Sequence, residues 1–243
     1  MPQPGGLDLR QLGGLLLVLA AVWLAWHTWL VYPLKILVVF FHELSHGLAA
    51  MATGGKIVGI EMVAREGGLC RTLGGNRFLT LSAGYLGSLA WGGLILVAAA
   101  RSRYDQAITA VLGLVLLASA LLWVRPVFSF GFPFAVVVGA ALVAAGLYLP
   151  ARANDYLLKA VGLVSILYAV FDIQDDILSR PHLLESDAAL LASLTGLPTL
   201  FWGLLWMAIA LLAAVAFLAV AGRAPAARYT PLAMQPPTPG GSR

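Results

Sequence analysis

The sequence is short of charge. Only 11% of its 243 residues are charged and 60% are hydrophobic, whereas a soluble domain carries charge on about a quarter of its residues. That excludes an ordinary soluble globule. The long apolar runs predict an all-α polytopic membrane protein. Cysteine is nearly absent: the single Cys70 excludes an intrachain disulfide and any cysteine-rich zinc site. The net charge of +4 is small and scattered, so it reads as loop charge that orients the chain and not as a surface for nucleic acid. The N-terminus has no basic start and no small-residue cleavage site, and its first apolar run is long. That run predicts a retained span and not a signal peptide.

About seven transmembrane helices are expected. The first runs from Gln11 to Trp29 and ends in an aromatic belt of Trp23, Trp26 and Trp29, the usual signature of a membrane interface. His27 belongs to that belt. Tyr32-Pro33 breaks the helix, and Lys35 can snorkel to the nearby interface. The second span covers Pro33 to about Ala52 and stops at Thr53-Gly54-Gly55. Lys56 to Arg77 differs in character: a β-branched stretch, a Gly67-Gly68 turn signal and a second short run. It admits two readings, a small β-hairpin at the membrane surface or a plain basic loop. Further spans follow at Phe78–Ala100, Ala107–Val124, Phe134–Leu149, Tyr156–Leu178 and Leu200–Ala221. Gly84, Ser88 and Gly92 recur every four residues, a stripe that lets another helix approach closely. Ser186 is a candidate N-cap, with Asp187 in the first turn, for a short helix that ends near Thr195-Gly196. Residues 1–221 are expected to form one integral-membrane domain, and 222–243, rich in Pro, Gly, Ala and Arg, a disordered tail.

Histidine and glutamate are also scarce, at four each, yet three of these eight residues occur together. Phe41-His42-Glu43-Leu44-Ser45-His46-Gly47 is a His-Glu-x-x-His motif inside an apolar run. On a helix His42 and His46 share one face, one turn apart, which suits two ligands of one tetrahedral Zn²⁺. Glu43 beside them is placed to take a proton from a metal-bound water. Such groups inside a lipid-depth helix are costly unless they are used.

A catalytic zinc takes three protein ligands and leaves one position open. The candidates for the third are Asp172, Asp175 and Asp176, which sit together at the end of the sixth span and share about one helical face. If the spans alternate, Leu44 and Asp172 each lie nine residues before a break, roughly 13 Å from the same interface. Asp172 is therefore the favoured ligand. Asp175 and Asp176 remain as alternative ligands or as residues at the mouth of the site. His182, after Arg180-Pro181, reads as a loop residue, and Glu61 and Glu66 as salt-bridge or solvent residues.

Phe41 to Gly47, the Gly-rich segment after it, Ser82-Ala-Gly-Tyr-Leu-Gly-Ser88 and Tyr168 to Asp176 together resemble the site-2 protease family of intramembrane zinc metallopeptidases, in its compact bacterial and plant branch without a PDZ insertion. The resemblance covers about Val38 to Pro198. It implies that His42 and His46 bind zinc and that Glu43 activates water. Phe171-Asp172-Ile173 stands where the family carries Leu-Asp-Gly, and no Asn-Pro signature is present. The implied activity is hydrolysis of peptide bonds in or near membrane-spanning protein substrates. Two non-enzymatic readings use the same ligands, a scaffold and a metal-dependent transporter; neither needs a general base at position 43. The expected setting is a bacterial inner or plasma membrane, with a weak bias in loop charge toward a cytoplasmic N-terminus.

Overall fold

The structure is a computed structural model and describes residues 6–176 and 186–223. Eight helices and one two-stranded sheet follow in the order α1 (Leu9–Leu24), α2 (Tyr32–Ala52), β1 (Lys56–Val63), β2 (Gly67–Leu73), α3 (Arg77–Arg101), α4 (Asp105–Trp123), α5 (Gly131–Tyr148), α6 (Ala151–Gln174), α7 (Asp187–Thr195) and α8 (Thr199–Ala221). Six helices, α2 to α6 and α8, are long and apolar enough to cross a membrane. The chain is thus a multi-pass integral membrane protein. The first expected span is shorter than its apolar run: α1 has 16 residues, and the tryptophan-rich segment after Leu24 leaves the helix as turns, with His27 exposed. The start of α1 lies against the end of α8. Asp8 N donates to Gly222 O at 2.9 Å and Gln11 Nε2 to Ala221 O at 2.5 Å. Among the described residues, α1 and the six candidate spans lie between these two points.

The other boundaries follow local chemistry. Pro33 opens α2 in its first turn, where a missing N–H costs nothing. Pro133 likewise lies in the first turn of α5, so Gly131-Phe132-Pro133 begins that helix and is not only a separator. The polar stretch 151–155 belongs to α6, not to a link before it. Asn154 explains this: its amide donates to the carbonyls of Ala145, Leu149 and Pro150 and ties the α5–α6 corner. Ser186 caps α7 by accepting from Ala189 N, and Gly196 ends it at φ +77°, as the capping residues predict. Arg180, Pro181, His182 and the tail from 224 onward lie outside the described residues.

The bundle is built around α2, the most buried span, while α8 is the least. Small residues set its spacing. A β-carbon on Gly92 of α3 would stand 2.6 Å from Ser165 Cβ and 2.8 Å from Gly162 O on α6. Beside this contact Ser165 Oγ donates to Ser88 O at 2.7 Å. Two members of the four-residue stripe therefore bring α6 close, as expected of small residues between membrane helices. The third, Gly84, faces His42 and Asp187 instead.

The segment after α2 is a hairpin. β1 and β2 pair antiparallel from Lys56↔Leu73 to Val63↔Gly67, with a bulge between Ile57 and Gly59. Ile57, Ile60 and Met62 point into the main apolar core, while Val58, Val63, Leu69 and Leu73 are exposed. Glu61 and Arg71 pair at 2.5 Å on its outer face. The hairpin does not lie beyond the end of α2. Its base is fixed at that end, where Asn76 N donates to Thr53 Oγ1 at 2.8 Å, and Gly54, Gly74 and Gly75 take positive φ to reverse the chain. Its tip reaches the first turn of α2, where Tyr32 OH donates to Ala64 O at 2.7 Å. The hairpin thus folds back along α2 over most of its length. Lys35, expected to snorkel outward, is buried and pairs with Glu66 of this tip at 2.6 Å.

The close contact of α3 with α6 predicts opposite signs for two glycine substitutions. Gly92→Ala overpacks this contact and is expected to cost about 1–3 kcal/mol, read as a lower Tm in detergent. Gly13→Ala on α1, whose new β-carbon meets nothing within 4 Å, is expected to gain a few tenths to about 1 kcal/mol from helix propensity. Equal Tm values for the two variants would refute the packing account.

Candidate metal centre

His42 and His46 lie near the middle of α2, one turn apart, with ring centroids 4.8 Å apart. Both rings aim Nε2 at one oxygen. Asp187 Oδ2 is 3.1 Å from His42 Nε2 and 3.2 Å from His46 Nε2. Among the described residues these three form the one group of His, Cys, Asp or Glu side chains close enough to share a metal ion. The tautomer of His46 is set from behind: its Nδ1 is 2.7 Å from the Thr80 carbonyl, an acceptor that must be met by N–H. The Nε2 of a neutral His46 then carries a lone pair and faces a carboxylate oxygen, which also only accepts. Asp187 Oδ2 is buried and has no partner beyond these two rings. Two acceptors at this distance need a cation between them. Ligand bonds of about 2.0–2.1 Å in a tetrahedron give edges of roughly 3.3 Å, close to the two N···O distances observed. The donor set of two imidazoles and a carboxylate suits Zn²⁺.

The space for an ion comes from Gly84. A β-carbon there would fall 2.4 Å from both Asp187 Oδ2 and His42 Nε2, so any larger residue would occupy the point toward which the ligand atoms converge. Asp187 is carried in by α7, whose first turn is fixed by the Ser186 cap. Burial alone would raise its carboxyl, but the two imidazoles that face it outweigh burial and hold it below the usual carboxylate range. It is therefore available as a carboxylate.

Glu43 is buried on the adjacent side of α2. Strand β2 passes over it so closely that a β-carbon on Gly68 would stand 2.6 Å from its Oε1, and the Cys70 amide donates toward its carboxylate. Cys70 itself stays a thiol: burial, with the Glu43 carboxylate beside it, pushes it up to about 12. His42, Glu43, His46 and Asp187 line one cavity of about 560 Å³, which β2 borders through Gly67 to Cys70.

The three aspartates favoured from the sequence surround this group without joining it. Asp172 lies at the depth of the motif, as the residue count placed it, but on the other nitrogen of the ring: its Oδ2 is 3.8 Å from His42 Nδ1. It is not one of the three residues whose ligand atoms converge. Asp176 accepts from Tyr85 OH and lines the cavity. Asp175 borders a smaller adjoining cavity with Trp26, Arg65 and Phe171. His27 is remote and exposed, and Glu61 and Glu66 form ion pairs. The candidate that the sequence did not single out for the site is Asp187. An acidic residue in the first turn behind a serine cap already has an ordinary explanation, and that explanation hid its second use.

The profile of the family described as Peptidase M50B-like matches residues 15–217, from the middle of α1 to the last turn of α8. Comparison with curated proteins and with solved structures gives no match. The matched span contains the His-Glu-x-x-His helix, the hairpin and α7, and on that extent the chain belongs to the Peptidase M50B-like family.

Proposed function

We propose that the chain is an intramembrane zinc endopeptidase acting on membrane-spanning protein substrates, with His42, His46 and Asp187 as the metal ligands and Glu43 as the general base. The observation that carries this reading is the convergence of two imidazole Nε2 atoms on one buried, otherwise unpaired carboxylate oxygen. Zn²⁺ bound there would acidify water and polarise a carbonyl. The remaining steps belong to the chain. Glu43 accepts a proton at its carboxylate and returns it to the leaving amine. Thr80 holds the His46 ring from behind by a hydrogen bond, and the Asp172 carboxylate stands 3.8 Å from His42 Nδ1 on the corresponding side, where outer groups fix the tautomer and orientation of metal-binding histidines. Asp172 is thus proposed as a support of the site and not as its third ligand.

The hairpin supplies the substrate's place. Unpaired backbone at membrane depth is tolerated only where it is covered or borders a wet cavity. The outer edge of β1 is covered: Ile60 bridges Val124, and Arg125 N donates to Ile60 O at 3.0 Å. That leaves the edge of β2, which borders the cavity beside Glu43. A substrate helix must unwind before its carbonyls can be attacked, and an unwound segment can pair with this edge by strand addition.

Three variants separate the roles. Metal analysis of purified protein is expected to give one zinc per chain in the wild type and in Glu43→Gln, and none in Asp187→Ala. Asp172→Ala is expected to keep its zinc with affinity weakened about 10–100-fold. Zinc lost from Asp172→Ala at saturating metal but retained by Asp187→Ala would reverse the ligand assignment. No cleavage of a single-span substrate by zinc-loaded wild type would reject the peptidase reading itself.

Two glycines give a finer test. Gly84→Ala is expected to lose zinc although every ligand is intact. Gly68→Ala is expected to keep zinc but lose cleavage, because its β-carbon displaces Glu43. If the two variants behave alike in metal content, the ion does not sit where Asp187 and the histidines converge.

A further inference from the structure

The turn between β1 and β2 is held by more than the joining of two strands requires. Glu66 has φ 60°, and it is the one non-glycine residue among those described with positive φ. A side chain there is strained where glycine would not be, and the next two residues are both glycine. The side chain at 66 makes a specific contact: its Oε1 lies 2.6 Å from Nζ of the buried Lys35. The Trp26 ring stands 5.3 Å from the same ammonium. Tyr168 OH donates to the Glu66 carbonyl at 3.2 Å, and Tyr32 OH to that of Ala64 at 2.7 Å. The first turn of α2, the last turns of α6 and the segment after α1 all converge on residues 64–66.

Glu66 also borders the cavity of the metal centre, and two residues later the Gly68 backbone lies against Glu43. The position of this turn therefore decides where the edge of β2 stands relative to the base. We infer that Lys35 and Glu66 are positioning residues for the substrate: their ion pair latches the hairpin tip so that β2 presents its free edge across Glu43. This rests on the strand-addition reading given above. A buried ammonium left without its carboxylate at this depth is strongly disfavoured.

The test uses the full chain in phosphatidylcholine vesicles with a single-span substrate, comparing wild type, Lys35→Met and Glu66→Asn. Asparagine accepts the left-handed backbone but is too short to reach Lys35, and methionine at 35 leaves no buried charge should the other variant fail to fold. In both variants amide exchange across residues 67–72 is expected to rise about tenfold or more, with exchange in α2 and zinc content unchanged. KM is expected to rise about tenfold while kcat stays within about threefold, because the metal ligands and Glu43 are not moved. Unchanged exchange in β2, or a loss that falls on zinc or on kcat with KM constant, would overturn the latch. A wild type that cleaves nothing would overturn the peptidase reading alone, and the exchange of β2 would still decide whether Lys35 and Glu66 hold the strand.

Discussion

One carboxylate oxygen organises the centre of this molecule. Asp187 Oδ2 stands against His42 Nε2 and His46 Nε2, and all three atoms are hydrogen-bond acceptors whenever Nδ1 carries the ring proton. Such a group is unfavourable anywhere and most of all in an apolar bundle, where water cannot relieve it. Several neighbouring features make sense only around it. Thr80 fixes the proton on the far side of His46. Gly84 withholds a side chain from the point where the three atoms converge. The Ser186 cap opens a helix that is too short to cross a membrane but long enough to present Asp187.

The same environment constrains the backbone. A β-hairpin alongside a membrane helix exposes polar edges that lipid cannot satisfy. Here the two edges have different fates, and the difference is informative. Val124 and Arg125 cover β1. β2 is left to border the cavity that contains Glu43, so its amides and carbonyls can be met by water or by an extended chain. A protease working on helical spans needs such an edge, because a helix keeps its carbonyls bonded until something else takes up the freed groups. Under the proposed function the hairpin and the candidate metal group answer two halves of one problem, local unwinding and hydrolysis.

Much of this was legible in the sequence, and the reason differs from part to part. The apolar spans and the His-Glu-x-x-His helix were readable because each is local: periodicity and spacing are properties of one segment. The short helix at 187–195 was readable from Ser186 and Gly196 for the same reason. The edge of β1 was not, since Ile60 meets its partner Val124 from far along the chain and no local pattern marks a bridge. Counting residues from helix ends put Asp172 at the depth of the motif, and it does lie there. Depth is one coordinate, however, and a ligand must also face the right nitrogen. That second coordinate is a rotation about the helix axis, which a residue count does not carry.

Lys35 shows the same limit from the opposite direction. A lysine three residues into an apolar helix reads as one that reaches outward to headgroups, and on sequence nothing opposes that. What turns it inward is the hairpin, which brings Glu66 back along α2 to within 2.6 Å of its ammonium. The hairpin can reach that far because its base is reversed by glycines at 54, 74 and 75, and its tip tolerates a strained backbone at Glu66 because four side chains over-determine it. Strain of this kind persists only where the surroundings enforce it. Its location at the border of the cavity that contains Glu43 ties the turn to the proposed chemistry: a strand that must stand at a fixed distance from Glu43 cannot be held by its base alone.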